Sequence, residues 1–230
     1  MRPPIEFLVP SGIGVEMIYS FVIIVCSLMV YYGTRELYEL SSYRGIRYFR
    51  QAFLFFAIAY FFRYSIRFIL YFFNIRTMHE FFPTSLGLMG LLTLFLFMYF
   101  SSMAVFYLLY SVMWKRWNGK SRRIYLFHAA AVLISLVSII SRRNDVLLGI
   151  NFIFLMLISL VYYVAHKDSK IKKGRNNLYI VYSLLFVFWV LNMVDILVPF
   201  FLQQFQLIIY LASSGIFLTI LYKVLKRAGN

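Results

Sequence analysis

Seven long apolar stretches run through this chain, and the short loops between them alternate between heavy and light positive charge. A bilayer span takes roughly 20 apolar residues, and stretches of that order fall at about 14–34, 49–73, 85–113, 124–141, 146–165, 178–199 and 207–223. With 63% of the 230 residues hydrophobic and only 13% charged, composition excludes a water-soluble domain. The expected fold is all-α: a polytopic membrane protein, with residues 1–230 forming a single seven-transmembrane-helix bundle.

The net charge of +15 would suit a nucleic-acid partner in a soluble protein, but its placement points to a membrane. Arg35, Arg44, Arg47 and Arg50 surround the first linker, and Lys115, Arg116, Lys120, Arg122 and Arg123 fill the third loop. Lys167, Lys170, Lys172, Lys173 and Arg175 fill the fifth, and Lys223, Lys226 and Arg227 the tail, so 17 of the 23 basic residues share one side. The opposite side holds Arg2, Arg76, Arg142 and Arg143. The positive-inside rule then places the N-terminus outside and the C-terminus in the cytoplasm of a multi-pass protein of the cell membrane.

Aromatic residues agree with that orientation. Tyr31, Tyr32, Tyr48, Trp114, Trp117, Tyr125, Tyr162, Tyr163, Tyr179 and Tyr222 cluster at the basic side, where amphipathic rings anchor helices at headgroup depth. The expected partners are therefore the lipid bilayer and the anionic lipid head groups facing the basic loops, with no nucleic acid. The loops are too short to hold a soluble domain, so the bundle is expected to act within the membrane or through a cytoplasmic protein partner.

Polar residues inside the spans are the candidates for function. Arg63 and Arg67 lie four apart and so share one helix face. An arginine facing lipid deep in the bilayer costs about 2.5–3.5 kcal/mol on insertion scales, so both are expected to face the bundle or reach for headgroups. Counting from the basic side, Arg63 stands about 21 Å up its span and Asp195 about 25 Å up the sixth, at 1.5 Å per residue. Asp195 is thus the natural partner, with Asn192 one turn before it on the same face. Glu16 and Asn151, near the outer ends of the first and fifth spans, complete the candidate cluster. Two readings stay open: a structural ion pair with Arg67 snorkelling, and a site for a ligand or ion.

Other polar residues point to packing. His128 is expected to hydrogen-bond between helices, while Ser101, Ser102, Ser213, Ser214 and Gly215 are expected to let helices approach closely. The three histidines and one cysteine have no metal-ligand spacing, and no hydrolase or phosphate-binding motif occurs, so neither metal, cofactor nor catalytic role is expected.

The first linker carries the most distinctive local pattern: Thr34 to Leu40, then Gly45-Ile46-Arg47-Tyr48-Phe49-Arg50, then Phe53 to Phe56 and Arg63. It resembles the corresponding stretch of uncharacterised archaeal seven-span proteins and, more loosely, the seven-helix sensor regions of histidine kinases. Orientation and the outer-half depth of the polar cluster lead to the expectation of a receptor-like or sensor module binding a small ligand or lipid in the outer half of the bundle. The alternatives from the residues are a small solute or ion transporter, whose path would cross inner halves that read as dry, and a non-catalytic scaffold subunit.

Overall fold

The computed structural model describes residues 13–72, 83–117, 122–141, 144–171, 176–197 and 203–228; near several helix ends, among them 66–72 and 195–197, it describes the backbone only. Eight helices occur among the described residues: α1 (Ile13–Gly33), α2 (Arg35–Ser41), α3 (Arg44–Phe72), α4 (Pro83–Met113), α5 (Arg122–Ser141), α6 (Asn144–Ile171), α7 (Asn176–Leu197) and α8 (Gln203–Ala228). The seven long helices coincide with the seven apolar stretches to within a few residues at most ends. The largest departures are at the N-terminal end of α3, which begins at Arg44, and at the C-terminal ends of α6 and α8, which run on to Ile171 and Ala228 through their lysines. Lysine is a good helix former with a long apolar stem, so the charge run does not stop the helix.

The linker also departs from a plain loop. Thr34 folds its hydroxyl back onto Val30 O at 2.7 Å, and its own carbonyl accepts from Tyr38 N–H at 3.2 Å, so α2 continues nearly in line with α1. An exposed Arg35 to Glu39 pair at 2.7 Å follows the i,i+4 geometry of a helix surface. Ser42 then takes φ 49°, a left-handed cap whose N–H bonds Tyr38 O, and the chain reverses into α3.

Five helical segments are long and apolar enough to cross a membrane among the described residues: Gly14–Ser41, Leu88–Met113, Arg123–Ser141, Asp145–Asp168 and Gln206–Lys226. α7 adds a shorter apolar stretch, Tyr179–Val194. Their outward faces carry large apolar side chains such as Phe21, Leu133, Ile153 and Leu211, more than half exposed. So much exposed apolar surface fits lipid and not water, and the protein is a membrane protein whose helices take the bilayer as solvent. Several serine and threonine hydroxyls on these helices are satisfied locally. Ser20, Ser102, Ser135, Ser159 and Thr219 each donate to the carbonyl four residues back.

Six of the long helices form a closed ring in the order α1, α3, α4, α6, α7, α8 and back to α1, with α5 packed outside against α4. α3 and α4 share the most extensive interface. Aromatic rings fill the interior: Phe53 and Phe56 of α3, Phe188 and Trp189 of α7 and Phe217 of α8 are all buried, with Phe188 and Phe217 meeting edge to face at 4.6 Å. Small residues play less of a part than the sequence suggests. Ser101, Ser102 and Ser213 are buried, but Gly215 faces outward with nothing within 4 Å of a Cβ placed there.

At the α2 end, basic side chains lie on aromatic rings. Arg50 covers Tyr31 at 4.8 Å and donates from Nε to Tyr31 O at 3.0 Å, Lys115 covers Tyr43 at 5.1 Å, and Arg123 covers Trp117 at 5.0 Å.

Candidate functional site

At the end opposite α2, polar groups from α1, α3, α7 and α8 converge. The Tyr60 hydroxyl of α3 donates to Asn192 Oδ1 of α7 at 3.0 Å, and Tyr19 of α1 lies 3.2 Å from the same hydroxyl. A phenol has one proton, so Tyr19 donates to Tyr60 and Tyr60 to Asn192. Asn192 Nδ2 then donates to Phe188 O at 2.9 Å.

A second relay runs beside the first. Gln206 Nε2 donates to the Tyr210 hydroxyl at 2.9 Å, which donates to Glu16 Oε1 at 3.0 Å. Tyr19 and Tyr210 stack at 4.7 Å and join the two relays. The Arg63 guanidinium sits over Tyr64 at 5.4 Å and over Tyr60 and Phe97 at 5.8 Å each. Tyr19, Tyr60, Tyr64 and Tyr210 are all buried. The two relays link α1, α3, α7 and α8 and so brace the ring.

Of the residues singled out from sequence, Glu16, Arg63 and Asn192 belong to this network. Arg67 and Asp195 are carried by α3 and α7, but their side chains, and with them the expected ion pair, lie outside the described residues. Asn151 of α6 turns its amide back onto its own helix, donating to Leu147 O at 2.8 Å, and no hydrogen bond among the described residues carries it to the network. Tyr19, Tyr60, Tyr64, Gln206 and Tyr210 were not singled out. The spacing of Tyr60, Arg63, Tyr64 and Arg67, all on one helical stripe, was the available signal.

The α2 end holds the other feature. A cavity of about 320 Å³ opens there, walled by α2, α3, α4, α6, α7 and α8. Phe49, Val181 and Val224 are buried along it, while Ser41, Tyr43, Asp168 and Lys223 bring polar groups to it. Ser111 donates to Leu108 O at 2.7 Å, so the proton in its 2.9 Å contact with Tyr182 comes from the tyrosine. Asp168 is held by Arg116 at 3.2 Å, both side chains well exposed. On the cavity's wall, α3 approaches α4 closely at Gly45. A Cβ there would stand 2.8 Å from Ser111 O. The halves of the helices nearest α2, which read as dry, thus enclose hydroxyls and open space; the signal was spread over single residues of six helices.

Among the described residues no group of three metal-ligating side chains occurs. No family model matches the chain, and no solved structure matches it. An uncharacterised protein of the archaeon Archaeoglobus fulgidus is 32% identical over 228 residues, covering 98% of this chain and 95% of its own length. Likeness of that extent, end to end, spans every helix described above, and the chain belongs to the same family as this archaeal protein.

Proposed function

We propose that the protein is a seven-span receptor-like module of the cell membrane, with its N-terminus outside and its C-terminus in the cytoplasm. It takes a small ligand or lipid and passes a change of shape to a separate cytoplasmic partner, with no reaction of its own. The observation that carries this reading is the cavity at the α2 end, whose walls come from six helices at once. An occupant there alters the spacing of all six. In the proposed orientation that end faces the cytoplasm, where exposed Arg35, Arg44, Arg47, Lys115 and Arg116 offer a basic surface to anionic head groups or an acidic partner.

The ligand site in this reading lies at the opposite end of the bundle from the sequence candidates. The Tyr19, Tyr60, Asn192 and Glu16 brace serves as the fixed end about which the helices move. A carrier would need a path from the cavity to the brace, and the buried rings of Phe53, Phe56, Phe188 and Phe217 stand between them.

Thermal unfolding of the detergent-purified protein with added polar lipid extract tests the reading. Wild type is expected to gain stability, and Ala165→Phe, which fills the cavity, to gain none. Equal gains in both, or solute flux into liposomes that depends on the protein, would overturn it.

A further inference from the structure

Lys223 sets the chemistry of the cavity. Among the described residues, Asp168 and Lys223 are the only charged side chains on its wall, and Arg116 neutralises Asp168 from outside. Lys223 is half-buried and makes no ion pair among the described residues. The wall therefore carries a net positive charge on one residue, set against apolar Ile46, Phe49, Val112, Val181 and Val224.

We infer that the cavity binds a single-chain amphiphile with an anionic head, the head pairing with the Lys223 ammonium and the chain lying along Phe49 and Val181. The inference rests on the cavity being the ligand site. An ammonium held against an apolar wall is costly without a partner, and an anionic head supplies one. A cationic head finds its only carboxylate already engaged by Arg116. A neutral head leaves Lys223 unpaired. Size argues for one chain, since 320 Å³ lies at the lower end of the range of about 300–1,000 Å³ usual for ligand pockets. The hydroxyls of Tyr43 and Tyr179, on the same wall, suit the oxygens of a carboxylate or phosphate head. The basic residues around the mouth draw anions to it.

Native mass spectrometry of the full chain released from neutral detergent provides the test, with dodecyl phosphate, dodecanoate, dodecanol, dodecyltrimethylammonium and inorganic phosphate as separate probes. Wild type is expected to retain one dodecyl phosphate or dodecanoate per chain, and inorganic phosphate not at all. Lys223→Gln is expected to weaken retention roughly tenfold while Lys223→Arg restores most of it, and thermal unfolding confirms that both variants fold. Retention of dodecanol or dodecyltrimethylammonium as strongly as the phosphate, or retention unchanged in Lys223→Gln, overturns the inference. If in that case Ala165→Phe abolishes all retention, the cavity remains the ligand site and only the charge argument fails. If wild type retains no amphiphile, both fail. Retention of inorganic phosphate as strong as that of dodecyl phosphate would assign the site to a free anion and sink the amphiphile.

Discussion

Tyr60 and Asn192 meet across the interior of the helix ring, hydroxyl to amide oxygen at 3.0 Å, although α3 and α7 are not neighbours in the ring. Side chains, not backbone approach, join these two helices. Tyr60→Phe leaves the Asn192 oxygen without that donor and Tyr19 without its acceptor. Hydrogen bonds between membrane helices average about 0.6 kcal/mol and reach about 1.7, and this change disturbs two. We expect a loss of about 1–2 kcal/mol, measured by unfolding in mixed micelles. The double variant Tyr60→Phe with Asn192→Leu should cost less than the sum of its parts.

Two glycines separate a tight contact from a forgiving one. At Gly45 a new methyl meets a backbone oxygen, Ser111 O, at 2.8 Å. At Gly33 it meets the tip of the Leu225 side chain at 2.5 Å, which can rotate away. Gly45→Ala should lower stability by about 1–3 kcal/mol by forcing α3 from α4, with a matching fall in midpoint temperature. Gly33→Ala should stay within about 0.5 kcal/mol of wild type.

Arg63 rests on three rings, and the planar guanidinium suits that seat better than an ammonium. Arg63→Lys should retain part of the contact, whereas Arg63→Gln should lose about 1–2 kcal/mol. The order wild type, Lys, Gln in thermal unfolding checks it. Equal loss for both substitutions would show that the positive charge alone does not hold the seat.

Orientation is open to direct chemistry. Cys26 is buried, so on a Cys26→Ala background a single new thiol reports its own side of the membrane. Ser42→Cys, beside α2, should react with an impermeant maleimide only after cells are opened. Asp145→Cys, at the turn into α6, should react in intact cells. The reverse pattern would invert the proposed topology.

Helix positions were legible because a lipid solvent demands long apolar runs, and these leave a strong mark in sequence. His128 was legible too. Its expected role as a bond between helices appears as a 2.7 Å contact from Nδ1 to the Tyr99 hydroxyl of α4. The brace was legible only at its charged and amide members. Glu16, Arg63 and Asn192 stand out in an apolar span, but Tyr19 and Tyr210 are lost among 19 tyrosines. A tyrosine is both packing ring and hydrogen-bonding group, and spacing alone does not reveal which use prevails. The cavity was not legible at all. Phe49, Ala165, Val181 and Val224 are ordinary apolar residues on four helices, and only assembly brings them to one space.

None of the residues of α2 is buried, yet Leu37 and Ser41 wall the cavity. Stability resides in the ring, and part of what the cavity admits is decided by a segment the ring does not need. On the proposed reading, substitutions in α2 alter ligand selectivity at almost no cost in folding. On that reading the ring is a frame that one exposed segment can retune.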